Sequence, residues 1–230
     1  MSTGYPQLIG VGIYGVTEAA RLTRVPSSCI RRWLRGYSYQ SAGTRHTSAP
    51  VFTSELPIID TEMALSFLDL IEVKIVNSLR LQKFNWKLIR AAEQHARDIF
   101  QVDHPFATKR FKTDGRRIFA ELKKKHGERP LVDLADNQLT FRSMVEPHLK
   151  DIDFDGGQQA LRWWPLGARH SVLLDPQRSF GQPIVREGVP TSVLARAFKK
   201  EQSLETVAKW FEVGVGAVRD ALEFERNIAA

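Results

Sequence analysis

The sequence predicts a mainly α-helical chain with small β-hairpins, built from an N-terminal winged helix-turn-helix and a C-terminal α-rich domain with helix-turn-helix-like spacing. Three observations predict it. Two short basic helices are separated by Val25-Pro26 and closed by Gly36. Apolar residues recur at helical spacing from Ala64 to Leu79 and again from Ile89 to Ile99. Three further short helices, the last two separated by Gly214, end the sequence.

Thr17 reads as the N-cap of the first helix, with Glu18, Ala19 and Ala20 in its first turn and Ala19, Ala20 and Leu22 on its buried stripe. Val25-Pro26 stops it, because proline disfavours a helical residue before it and readily opens a new helix. Ser27 or Ser28 caps a second helix running to Leu34, whose inward face is Ile30, Trp33 and Leu34, and Gly36 ends it. The nearly uncharged stretch from Tyr37 to Pro57 reads as a β-wing, with strands at Tyr39 and at Pro50–Thr53 around the loop Ser41–Ser48. Asp60 or Thr61 opens a long helix to about Leu81, and a second helix spans about Trp86–Phe100.

Beyond Ala107 the period changes. Thr113-Asp114-Gly115 between Phe111 and Ile118-Phe119 is a hairpin signal, and Leu131–Leu134 with Leu139–Phe141 suggests another around Asp136-Asn137. Met144–Leu149 reads as a short helix, and Leu161–Trp164 and Val172–Leu174 as strands. The C-terminal helices are expected at Thr191–Lys200, Leu204–Phe211 and Val215–Arg226. The division that follows is residues 1–105 for the winged helix-turn-helix with its helical pair, 106–160 for a β-hairpin-rich connection, and 161–230 for the helical C-terminal domain.

At 230 residues and 43% hydrophobic content the chain can bury a real core, which excludes wholesale disorder. A single cysteine, Cys29, makes no intramolecular disulfide and fits a reducing cytosol. The N-terminus lacks a basic region followed by an apolar run, and the longest apolar segment, Met63 to Leu81, is interrupted by Asp69, Glu72, Lys74, Asn77 and Arg80. A cytoplasmic protein with no membrane partner is expected.

The net charge of +7 is unevenly spread. The first fifty residues carry six Arg against Glu18 alone, and residues 106–130 carry nine basic groups against three acids, with more acidic stretches between. Arginine offers donors to guanine edges and to phosphates in one planar fork, and Arg31, Arg32 and Arg35 lie within two turns of the second helix. Ser27 and Ser28 at its N-terminus suit a phosphate, and Arg21 and Arg24 face the backbone from the first helix. The expected DNA-contact set is therefore Thr17, Arg21, Arg24, Ser27, Ser28, Arg31, Arg32, Arg35 and Tyr39. Lys109, Arg110, Lys112, Arg116 and Arg117 form a basic ribbon that supplies secondary phosphate contacts, a solvated face, or a contact for an acidic protein surface.

The C-terminal stretch Leu204–Glu225 also has helix-turn-helix spacing. Its last helix carries Asp220, Glu223 and Glu225 against Arg219 and Arg226, which favours a protein-facing role. Catalysis, a cofactor and a metal are not expected. The six histidines form no H-x-x-H pattern, and neither a nucleophile elbow nor a P-loop is present. Gly10–Gly15 fits G-x-G-x-x-G but opens too short a helix for a dinucleotide fold, and Asp151–Gly156 imitates half a calcium loop whose twelfth position is Arg162.

Residues 14–37 resemble the winged helix-turn-helix of MerR-type regulators and, more closely, the N-terminal half of prokaryotic VapB-type antitoxins. Asp175-Pro176, Ser179-Phe180-Gly181-Gln182-Pro183, Gly188-Val189-Pro190-Thr191, Val207-Ala208 and Ala221-Leu222-Glu223-Phe224 resemble a small antitoxin-associated domain of formerly unknown function. The resemblance implies a cytosolic antitoxin of a type II toxin–antitoxin module. Such a protein binds its own operator in double-stranded DNA as a dimer, represses its own operon and neutralises a partner toxin, commonly a PIN-domain ribonuclease. It also implies a departure from MerR-type proteins, whose long C-terminal dimerisation helix is replaced here by other helices. Two other readings stay open: a stand-alone transcriptional regulator without a toxin, and a protein-only inhibitor whose helix-turn-helix is scaffold.

Overall fold

The computed structural model describes residues 9–59, 62–125 and 147–229. The chain forms two compact units, one of residues 15–150 with 154–160, the other of residues 1–14, 151–153 and 161–230.

The first unit opens with helix α1 (Val16–Thr23), whose N-cap is Gly15 and not Thr17. Thr17 lies within the first turn, exposed, because the extended backbone that a cap requires falls two residues earlier. Arg24, in the left-handed region at φ 57°, ends α1 and turns the chain. Helix α2 (Ser27–Arg35) follows, capped by Pro26, whose carbonyl accepts the Cys29 and Ile30 amides. Ser27 and Ser28 are thus first-turn residues without a capping bond. Val16, Ala19, Leu22, Val25, Ile30, Trp33 and Leu34 are buried together in the α1–α2 corner.

The wing is an antiparallel hairpin of Tyr37–Ser41 and Thr44–Ser48, with Ala42 and Gly43 at its tip in positive-φ conformations. Its second strand lies earlier than the expected Pro50–Thr53, because the two-residue turn needs Gly43 and sets the register from there. Pro50–Thr53 is instead an irregular strap in which Val51 and Phe52 are buried.

Helix α3 (Phe67–Leu81) starts six residues later than the sequence suggests. Ser66 and Asp69 form a reciprocal capping box, and Ile58–Ile59 pairs with Glu62–Leu65 as a hairpin before it. Helix α4 (Trp86–Phe100) is capped by Asn85, whose side chain accepts the Leu88 amide at 2.8 Å. Helix α5 (Lys109–Lys125) replaces the hairpin expected at Thr113-Asp114-Gly115. Thr108 caps it, accepting the Phe111 amide at 3.1 Å. Phe111, Gly115, Ile118, Phe119 and Leu122 then recur at helical spacing and are buried, a pattern that outweighs the turn propensity of one Asp-Gly pair. The hairpin expected over 131–141 lies outside the described residues. Of the helix expected over 144–149, residues 147–149 are helical.

In the second unit, Val172–Leu173 pairs antiparallel with Ile184–Val185, and Trp164, Leu173 and Ile184 share a core. Tyr14, fully buried, donates to the Gly181 carbonyl at 2.8 Å. Helices α6 (Thr191–Glu201), α7 (Leu204–Trp210) and α8 (Val215–Ala229) follow at nearly the expected bounds. Val207, Ala208, Val213, Val218 and Ala221 are buried between them, and Glu212 at φ 54° makes the left-handed turn that redirects the chain from α7 to α8.

Candidate nucleic-acid interface

Every polar residue on the outer face of α2 is exposed or half-buried, while Ile30, Trp33 and Leu34 lock the inner face. Ser28, Arg31, Arg32 and Arg35 therefore project from one short rod, and Arg21 and Arg24 are exposed on and just after α1. Trp33 packs edge-on against Trp86 at 5.6 Å, so the start of α4 backs the rod. The guanidiniums of Arg80 and Arg90 lie 4.5 and 5.7 Å from the Trp86 ring centre. The one acid of α1, Glu18, is half-buried, and that burial raises its pKa above the ordinary carboxylate value against the opposing pull of Arg21.

The wing continues this surface. Arg32 lies over the Tyr37 ring at 5.5 Å, Tyr37 meets Tyr39 at 5.8 Å, and Tyr39 stacks on His46 at 5.3 Å. The ladder runs from α2 along the hairpin toward the tip, where Arg45 is exposed. Arg90 fastens the wing's base, donating to Ser48 Oγ at 2.8 Å, to the Ala49 carbonyl at 2.7 and 3.0 Å, and to the Pro50 carbonyl at 3.2 Å. Val51 N–H donates to the Trp33 carbonyl at 2.7 Å, so the strap behind the wing is tied to α2 itself. A helix and a hairpin carrying cations and no anion between Arg21 and Thr53 suit a negatively charged duplex.

Residues 12–93, which hold this whole surface, match a family model described as "Putative DNA-binding HTH domain". The N-terminal part of the chain is a helix-turn-helix domain. Over nearly its whole length, across 225 residues at 25% identity, the chain is similar to "Putative antitoxin VapB45" of Mycobacterium tuberculosis (strain ATCC 25618 / H37Rv), spanning 93% of either sequence. The X-ray crystal structure of Rv2018 from Mycobacterium tuberculosis superimposes with a TM-score of 0.72 at 23% identity, covering 93% of this chain and 99% of that one. That likeness establishes a shared fold.

The helix-turn-helix domain gathers Thr17, Arg21, Arg24, Ser27, Ser28, Arg31, Arg32, Arg35 and Tyr39 into adjoining positions on α1, α2 and the wing. Sequence reasoning missed Arg45, His46 and Arg90. The signal for the first two was an acid-free stretch long enough for a two-stranded ribbon. Arg90 carried no local signal, since its partners lie about forty residues away.

The second basic set stands on α5, not on a ribbon, because residues 109–125 are helical. Lys109, Arg110 and Arg117 are exposed and Lys112 is half-buried, while the Arg116 side chain lies outside the described ones. Arg110 sits 4.4 Å from the Phe100 ring centre, and Arg117 pairs with Glu121 at 3.7 Å, so part of this charge is already engaged. In the other unit, α8 spends two of its three acids internally. Asp220 accepts from His170 Nδ1 at 3.0 Å and from the Ser171 amide at 2.7 Å, and Glu225 accepts from Thr191. Asp220 raises the His170 pKa above its ordinary value by that hydrogen bond. Among the described residues no helix is long and apolar enough to cross a membrane.

Proposed function

We propose that this protein is a non-catalytic antitoxin that represses its own operon and neutralises a partner toxin, a PIN-domain ribonuclease. The observation that carries the DNA half is the exposed row Ser28, Arg31, Arg32 and Arg35 beside an acid-free wing. The toxin half rests on similarity to a named antitoxin across nearly the whole length. In this reading Arg31 and Ser28 reach base edges, Arg21, Arg24, Arg32 and Arg35 contact phosphates, and Thr17, Ser27 and Tyr39 complete the contact surface. Lys109, Arg110, Lys112, Arg116 and Arg117 offer secondary phosphate contacts from α5. The protein acts in the cytoplasm as a homodimer on paired half-sites, and the C-terminal helices face a protein. Co-expression with the product of the adjacent gene, followed by purification and a gel shift on DNA upstream of the pair, tests both halves. A toxin complex that shifts this DNA is the expected result. Retention of the shift without any co-purifying partner would leave a stand-alone regulator and refute the antitoxin.

A further inference from the structure

The first unit buries a charged cluster between α3 and the α4–α5 connection. Asp69 and Glu72, neighbours on α3, are 0% exposed, and His104 from the α4–α5 connection is 4% exposed. Each carboxylate spends one oxygen on the backbone and loops around it. Asp69 Oδ2 accepts from Ser66 N–H at 2.9 Å, Ser54 Oγ at 3.0 Å and Glu55 N–H at 3.3 Å, and Glu72 Oε1 accepts from Phe106 N–H at 3.1 Å. Among the described residues the other two oxygens have no hydrogen-bond partner, and neither has His104 Nδ1, which lies 3.8 Å from Asp69 Oδ1 and 3.5 Å from Glu72 Oε2. On the ring's far side Nε2 is 3.7 Å from Glu55 Oε2. Glu93 and Arg97 of α4 pair alongside at 2.7 Å.

Two buried carboxylate oxygens with no positive partner are strongly unfavourable, and a neutral imidazole places a lone pair or a single N–H among them. The imidazolium offers an N–H on both sides, one toward the two unpaired oxygens and one toward Glu55. Burial pulls the ring's pKa down, but the Glu72 carboxylate beside it, then those of Asp69 and Glu55, outweigh it and raise the pKa to about 8. A shared divalent ion fits less well. The described group whose donor atoms converge to ligand spacing is His170, Asp220 and Glu223, not this one.

The cluster sits at the end of the strap that trails the wing. From Ser48 the chain is held at three successive points: by Arg90 at 48–50, by the Trp33 carbonyl at Val51, and by Asp69 at Ser54 and Glu55. We propose that His104, acting through Asp69, is a proton-dependent positioning residue for the wing, holding the strap when charged and loosening it when neutral, so that duplex binding weakens in alkali. Arg90 and Trp33 keep their holds on either side of His104 deprotonation, which makes the change a graded loss of order and not unfolding. The inference rests on the DNA-binding reading for its functional half only.

The test uses the full-length protein at constant salt between pH 7 and pH 9. Amide resonances of Glu55 and Ser66, which both donate to Asp69, should titrate together with a midpoint near 8. Affinity for the duplex upstream of its own coding sequence should fall measurably over the same range, with the same midpoint as the amides, because the charged form holds the wing for binding. His104→Lys, permanently charged, should flatten both profiles, and His104→Gln should give the high-pH amide positions already at pH 7. Amides that do not titrate near 8, an affinity loss that persists in His104→Lys, amide titration without an affinity change, or one equivalent of a divalent metal in the purified protein would each overturn the proposal. If no duplex binds at any pH, the DNA-binding reading fails, and the amide titration alone decides the clamp.

Discussion

Gly36 joins helix α2 to the wing, and replacing it with alanine tests whether that joint sets the candidate interface. Its φ of 71° and ψ of −177° lie in a region essentially reserved for glycine, which costs any other residue about 1–3 kcal/mol. An added Cβ would sit 2.4 Å from the Ser48 carbonyl oxygen, 3.1 Å from Pro50 N and 3.2 Å from Ala49 C. All three are backbone atoms of the segment that Arg90 pins, so relief requires the strap to move and strains charge-assisted hydrogen bonds worth about 1.5–3 kcal/mol each. Together these place the destabilisation of the unit at about 2–4 kcal/mol. Gly43→Ala is the control: φ is 77°, but nothing lies within 4 Å, so only the left-handed penalty of about 1–2 kcal/mol applies. Urea unfolding of the full chain measures stability, and titration with the upstream duplex measures reading. Gly36→Ala should be clearly the less stable and lose at least about tenfold in affinity, worth about 1.4 kcal/mol, while Gly43→Ala stays near wild type in binding. Equal stability and equal affinity of the two variants would refute the reasoning.

Arg31→Ala should weaken binding to the specific duplex by about 1–3 kcal/mol and relax preference at one base position, as measured by competition gel shift; unchanged binding would remove Arg31 from base readout. Stability of the first unit should fall as pH rises. The raised pKa of His104 gives stabilisation that is full below about 6.5 and lost on passing about 8, worth about 2 kcal/mol, and the raised pKa of Asp69, about 6, acts in the same sense between about 4 and 6. Denaturation midpoints at pH 5, 7 and 9 should therefore decline in that order. Tyr14→Phe removes the buried bond to the Gly181 carbonyl and should cost the second unit about 1 kcal/mol in chemical unfolding. Glu212→Gly relieves a left-handed non-glycine residue and should stabilise the α7–α8 turn by about 1 kcal/mol, visible as a higher denaturation midpoint.

Helices α1, α2, α4, α6, α7 and α8 were legible because proline, glycine and capping residues punctuate strong 3.6-residue periods. The start of α3 was not, since its apolar period continues backward into the strand Glu62–Leu65 and only the reciprocal Ser66–Asp69 cap marks the boundary. On α5 an Asp-Gly pair suggested a turn, yet five buried residues at helical spacing had the greater weight. The arginines of the candidate interface could be picked out because their neighbours Ile30, Trp33 and Leu34 fixed which way they face. The Asp69–Glu72–His104 cluster could not. Its carboxylates counted as interruptions of an apolar helix, and only folding brings a histidine more than thirty residues away into contact with them.

Tyr14 and its bond to Gly181 also bear on synthesis. Residues 9–14 belong to the unit that residue 161 onward completes, with Ile13 N–H donating to the Phe180 carbonyl and Tyr14 to Gly181, 167 residues later. A ribosome adding 5–20 residues per second needs roughly 10–30 s to deliver that partner. Residues 15–125 emerge in the meantime and contain the winged helix-turn-helix with α3, α4 and α5. The winged helix-turn-helix unit is therefore made first, as a long insertion in the sequence of the unit that closes last. A nascent chain stalled before Gly181 carries all the arginines of the candidate interface, while the Tyr14 hydroxyl still awaits the Gly181 carbonyl.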